Sequence, residues 1–182
     1  MPLERTDSYL KDSTELFRYY KKLGENAIAQ CPDAGLTQGS DANSNSIGTI
    51  VKHMHGNMIS RWTQFLTSDG EKPTRRRDEE FEKPPQTRGE ILDLWDAGWK
   101  CLFLALEPLT DADMTKNATI RGEAHSVMQA INRQTAHYSY HVGQIVLLAK
   151  HFAGENWKSL SVPKNKSKEF NAKVESGKKS QR

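Results

Sequence analysis

Thr135-Ala-His-Tyr-Ser-Tyr-His-Val-Gly-Gln144 decides how this chain is read. Around it Val127, Ile131, Tyr138, Val142, Ile145, Ala149 and Phe152 recur at i, i+3, i+4 and i+7 spacing, the signature of an amphipathic helix. His137 and His141 lie four residues apart within it, so both imidazoles project from one face about one turn apart. Two nitrogen donors so placed hold a divalent metal if a third ligand arrives from another element. The plain alternative is a pair of histidines packing at the rim of a core, since this spacing is common by chance.

Two candidates for the third donor stand in Ile50-Val-Lys-His-Met-His-Gly-Asn-Met58, namely His53 and His55. Ile47, Ile50, Val51, Met54, Met58, Trp62 and Phe65 make this segment a second helix with a buried stripe, about Ile47 to Leu66, with Ser46 as its N-cap. At about 100° per residue, His55 lies roughly 70° from the middle of that stripe and His53 roughly 130° away. The helical wheel alone therefore turns His55 inward. His125 and His151 flank the last helix and read as surface histidines.

Two further helices complete the pattern. The first runs about Asp7 to Gln30, with Leu10, Leu16, Phe17, Tyr20, Leu23 and Ile28 on its inner face. The third runs about Arg88 to Leu106 and opens on a capping box, Thr87 with Glu90. Its apolar set is Ile91, Leu94, Trp95, Leu102 and Leu106, with Ala97 and Gly98 permitting close approach. The fourth, holding the two histidines, runs about His125 to Phe152 and breaks at Gly154; before it, Ala118-Thr-Ile-Arg121 and Gly122 read as a short extended segment. The polar stretch 67–85 is long for a connection in a compact domain, so it is either functional or a crossover. Within it Arg75-Arg76-Arg77 is answered at once by Asp78-Glu79-Glu80, which favours a solvated face over a phosphate site. These elements predict an all-α fold, a four-helix bundle with a crossover connection and an irregular C-terminal tail. One domain is expected over 1–163, followed by a basic, flexible tail at 164–182.

Composition narrows the class. The chain has 182 residues, 36% of them hydrophobic, and four tryptophans, enough for a substantial core. The formal charge of +3 is unevenly spread: residues 164–182 carry +5 and the remainder −2. With no basic residues interleaved with aromatics on a folded face, no nucleic-acid partner is expected. No run of eighteen apolar residues predicts a membrane helix, and the N-terminal residues lack the apolar stretch of a secretory signal. Cys31 and Cys101 form no CxxC motif, so neither a disulfide framework nor a cysteine zinc site is expected, and a cytoplasmic, reducing location follows.

Three segments together resemble a known family: Ile50-Val-Lys-His-Met-His-Gly-Asn-Met-Ile-Ser-Arg-Trp62, His137-x-x-x-His141-x-Gly-Gln144, and Trp157-Lys-Ser-Leu-Ser-Val-Pro163. They look like the DinB-like superfamily, in its branch of small bacterial metal-binding proteins, over roughly residues 8–170. The resemblance implies a DinB-like four-helix bundle. It implies metal ligands at His53, which begins the His-x-x-Gly-Asn-Met stretch, and at His137 and His141, against the wheel's preference for His55. At His55 similar sequences more often carry a small residue, and there it reads as a group supporting the ligands.

Three imidazoles with an open position are what a catalytic metal requires, and zinc or nickel suits nitrogen donors. Asn57 and Gln144 lie within reach of orienting the imidazoles, or are ordinary surface polar residues. Relatives in the wider superfamily include bacillithiol- and mycothiol-dependent transferases. The resemblance therefore implies a metal-dependent hydrolase or low-molecular-weight-thiol S-transferase acting on a small molecule, in a homodimer. The alternative is a non-catalytic, stress-related dimeric module stapled by its metal. No general base is identifiable, and the absence of HExxH lowers a peptidase reading. Trp157, Leu160 and Val162 are too apolar for a free tail and are expected to pack on helices of this chain or a partner.

Overall fold

A computed structural model describes residues 5–180. Residues 1–4, read above for the lack of a leader, and the last two residues of the basic tail lie outside the described residues. Four long helices form the body: α1 (Tyr9–Gln30), α3 (Ile47–Trp62), α4 (Arg88–Leu106) and α5 (Val127–Ala153). A short helix α2 (Asp33–Leu36) and a hairpin of β1 (Asn117–Ile120) and β2 (Glu123–Ser126) lie between them, and α6 (Ser167–Glu175) follows in the tail with no buried residue.

Each long helix begins where its side chains can satisfy the free N–H groups of the first turn. Ser8 accepts from Lys11 N, Ser46 from Thr49 N, Thr87 from Glu90 N and Ser126 from Gln129 N. The capping boxes at Thr87/Glu90 and Ser126/Gln129 are both closed in the reciprocal sense. The second of these starts α5 at Val127, so His125 belongs to β2 rather than to the helix expected to begin about there. Likewise α3 ends at Trp62 rather than near Leu66, because Gln64 takes a positive φ of 49° that a helix cannot contain.

The helices pack in a crossed order. α3 lies chiefly against α4, and α1 chiefly against α5, with α3–α5 and α1–α4 closing the ring. Successive long helices α1 and α3, and α4 and α5, are thus not principal neighbours, which is the crossover topology expected from the long connections. Phe17 of α1 sits at the centre, with ring centroids 6.2 Å from Trp62, 6.3 Å from Trp99 and 6.0 Å from Tyr138. Gly24 lets α1 meet α4: a Cβ there would stand 2.5 Å from Trp95. Trp157 and Leu160 pack against this same core, and Gln30 holds Lys158 through both its backbone N–H and C=O. Trp157 and Leu160 of the apolar segment after α5 are thus partly covered within the chain, and Val162 is half-buried.

The connection 63–87 is pinned rather than loose. Its Asp69 carboxylate accepts from the backbone N–H groups of Arg121 (2.8 Å) and Gly122 (2.7 Å), and Gly70 N–H donates to Thr119. Arg121 and Gly122 form the two-residue turn of the hairpin, with φ of 55° and 76°, the pair of positive values that a type I′ turn demands. Lys52 of α3 donates to the carbonyls of Glu79 and Glu82, both at 2.6 Å, and so fastens a 3-10 turn, Asp78–Phe81, against the helix.

Candidate metal centre

α3 and α5 cross so that His53, His137 and His141 meet, and one nitrogen of each lies within 4.8 Å of the other two. His53 Nε2 stands 3.4 Å from His137 Nε2, and His141 Nε2 stands 3.1 Å from the same atom. His53 is 5% exposed, and the other two are half-buried.

What fixes two of these rings is their other nitrogen, whereas His137 Nδ1 is buried with no hydrogen-bond partner. His53 Nδ1 lies 2.8 Å from Glu80 Oε2, and a carboxylate only accepts, so the proton sits on Nδ1 and Nε2 presents a bare lone pair. His141 Nδ1 lies 2.8 Å from Gln144 Oε1, with the same consequence. Two lone pairs thus point at His137 Nε2. Burial lowers the His137 pKa to about 3, with the neighbouring His141, His53, Arg133 and Arg61 acting in the same direction, so this ring is neutral near pH 7. Burial also lowers His141. Nitrogens about 2.05 Å from a tetrahedral zinc would be separated by roughly 3.3 Å. The donor set and its spacing fit a divalent transition metal.

Glu80 is itself held. Arg75 Nε donates to Oε1 at 2.7 Å and a terminal nitrogen to Oε2 at 2.9 Å, and both side chains are nearly sealed from water. Burial raises the Glu80 pKa, but the bonds from His53 and Arg75 outweigh it and the net shift is downward, keeping the carboxylate charged. Phe81 stacks on His53 at 5.0 Å. The charge run 75–80, expected as a solvated face, is therefore partly interior. Arg75 and Glu80 neutralise one another behind the histidine, while Arg76, Arg77, Asp78 and Glu79 stay exposed.

Two other expectations are corrected by the geometry. His55, which the wheel turned inward, is half-buried outside the cluster. The wheel fails because twelve of the sixteen α3 residues are buried, polar His53 and Asn57 among them, so an apolar stripe does not mark its interior. Asn57 does not orient a histidine. It accepts from Tyr138 Oη at 3.0 Å, which in turn accepts from Trp62 Nε1 at 3.0 Å. Gln144 is the expected orienting residue that the structure places on a ring. Gly56, Arg75 and Glu80 were not expected at the site. Gly56 had a signal in its place between His53 and Asn57: a Cβ there would lie 2.7 Å from Glu80 Cδ, so only glycine leaves room for the carboxylate.

The imidazoles of His53 and His137 form one wall of a cavity of about 380 Å3. Among the described residues no helix is long and apolar enough to cross a membrane.

The crossed four-helix bundle is of the DinB-like fold, and its helices α3 and α5 bring the three imidazole nitrogens together. A crystal structure of a DinB-like protein from Bacillus cereus ATCC 10987 is similar over 78% of this chain and 91% of its own, with a TM-score of 0.60 and 17% identity. By sequence the chain belongs to the family described as Protein of unknown function (DUF1572), whose model matches residues 4–166. No curated protein matches it.

Proposed function

We propose that His53, His137 and His141 bind one divalent transition metal, zinc or nickel, and that the protein uses it to transfer a low-molecular-weight thiol to a small electrophile. The observation that carries the metal is the convergence of Nε2 atoms on His53 and His141 whose Nδ1 protons are committed to Glu80 and Gln144. Both stand close to His137 Nε2, at 3.4 and 3.1 Å, and a cation held among the three nitrogens would take all three lone pairs, as a proton on His137 Nε2 alone would not. When bound, the metal supplies Lewis acidity that lowers a thiol's pKa, so that it reacts as thiolate at neutral pH.

The chain's own residues favour the thiol over water as nucleophile. Among the described residues no carboxylate lines the cavity beside His53 and His137, and both oxygens of Glu80 are taken by Arg75 and His53. A general base for water is thus missing, whereas a thiol needs none once its pKa has fallen. Glu80 and Gln144 hold the rings in the ligating tautomer, and Phe81 covers one face of His53.

Elemental analysis and zinc titration of tag-free protein test the site. One equivalent is expected, lost in His137→Ala and His141→Ala and lost in His53→Ala but not His55→Ala. Full retention in His137→Ala or His141→Ala would sink the site. Thiol-electrophile pairs are then screened with metal-free and reloaded protein. Turnover that needs the metal supports transfer, and equal turnover without it excludes the mechanism. Metal-dependent hydrolysis without thiol would favour the hydrolase, and a tightly held metal with no turnover would favour the non-catalytic module.

A further inference from the structure

The cavity beside the imidazoles is lined by Asn57 and five arginines, Arg61, Arg75, Arg77, Arg121 and Arg133. They come from four separate places: α3, the connection 63–87, the hairpin turn and α5. Among the described residues two carboxylates form ion pairs with them, and Asp69 also acts on Arg61 through space. Glu80 takes Arg75, and Glu71 is shared by Arg121 at 3.1 Å, Arg75 at 3.4 Å and Arg61 at 3.6 Å. Arg77 lies 5.8 Å over the Phe81 ring, and among the described residues neither it nor Arg133 forms an ion pair. Five guanidiniums against Glu71, Glu80 and Asp69 leave an excess of two positive charges around one concavity.

Arg61 is the decisive member. It is 1% exposed, and its Nε and one terminal nitrogen have no hydrogen-bond partner. A buried cation with unmade hydrogen bonds is costly, and a fold keeps one where a ligand completes it. Asn57 adds a neutral donor. The Tyr138 hydroxyl accepts from Trp62, so its own proton goes to Asn57 Oδ1, which leaves the Asn57 amide hydrogens free to donate. The volume, about 380 Å3, is that of a small-molecule site.

We propose that this cavity binds a dianionic oxyanion group, a phosphate or a pair of carboxylates, carried by the small molecule whose reacting atom lies at the three histidines. The link to a reacting atom rests on the metal reading; the anion site does not. Guanidinium forks match both oxyanions, and the excess of positive charge selects dianions over monoanions. The same field favours a thiolate beside His137 over the neutral thiol.

Calorimetric titration of the metal-free full chain with inorganic phosphate, succinate and acetate, at constant ionic strength, tests this. Phosphate, succinate or both should bind at least about tenfold tighter than acetate, and which of the two binds names the source of the charge. Arg133→Gln, at an exposed site that leaves folding intact, should weaken binding about fivefold. Arg61→Met should abolish it while leaving the metal-free protein at least as stable to denaturant, because a buried charge with two unmade hydrogen bonds is removed while Glu71 keeps Arg75 and Arg121. The exposed tail variant Lys173→Gln should change nothing. Acetate binding as tightly as the dianions, or unchanged binding in both arginine variants, would overturn the proposal. Anion binding with no zinc uptake would topple the metal reading alone, and zinc uptake with no anion binding would topple this one alone.

Discussion

Gly56→Ala is an informative single change, because general rules and this structure predict opposite signs for it. In the middle of an ordinary helix the replacement stabilises by about 1 kcal/mol. Here the new methyl would lie 2.7 Å from Glu80 Cδ, where carbon atoms prefer about 3.5–4.0 Å, so the carboxylate must retreat by about 1 Å. It has little freedom to do so, being held at 2.8 Å by His53 and at 2.7 and 2.9 Å by Arg75. Overpacking costs about 1–3 kcal/mol, and a stretched charge-assisted hydrogen bond adds about 1.5 kcal/mol or more. Set against the helix gain, the expected outcome is a net loss of about 1.5–3.5 kcal/mol. Because Glu80 sets the His53 tautomer, zinc affinity should fall about 10–100-fold, or about 1.4–2.7 kcal/mol. Urea unfolding of the metal-free protein and zinc competition against a chromophoric chelator give the two numbers. A variant that is about 1 kcal/mol more stable and binds zinc as tightly as the parent would refute the account of Gly56 and of Glu80 together.

Glu80→Gln keeps one acceptor oxygen but loses the charge and the other acceptor, so it should weaken zinc binding and cost about 3 kcal/mol by leaving the sealed Arg75 charge answered only at longer range by Glu71; an unchanged unfolding midpoint would count against the buried pair. Tyr138→Phe strands Trp62 Nε1 and Asn57 Oδ1, both buried, and should cost about 2–4 kcal/mol by denaturant titration, a loss under about 0.5 kcal/mol being incompatible with the chain of bonds drawn here. Acidification should destabilise the metal-free protein. The folded-state pKa of His137 is lowered to about 3 from 6.5, so between these values the unfolded chain takes up a proton that the folded chain refuses. Stability present above about pH 6.5 is then lost toward pH 3, by up to about 1.4 kcal/mol per pH unit for this one group, and His141 acts in the same sense. His137→Gln should flatten that slope, and an identical pH profile in the variant would show that the buried imidazole is not its source.

Residues near one another in the chain determined much of this molecule. The period of α5 and the four-residue spacing of His137 and His141 already placed two imidazoles on one face, because helical geometry is set by the backbone. Ser46 and the Thr87/Glu90 box marked helix starts for the same local reason: a cap bonds to N–H groups two or three residues away. The choice of His53 over His55 came from resemblance to other sequences, whereas the wheel pointed the wrong way. The orienting partners divide along the same line. Gln144, three residues from His141, was within reach of sequence reasoning; Glu80, 27 residues from His53, was not. Only the tertiary structure folds the connection 63–87 back over α3, seals Arg75 and Glu80 from water, and gathers five arginines from four segments around one cavity. In sequence the run Arg75–Glu80 looked self-neutralising and solvated, since alternation of charge says nothing about which members lose their water. Desolvation is decided by what covers a side chain, and what covers Glu80 is a glycine without a side chain on one helix and a histidine one turn before it.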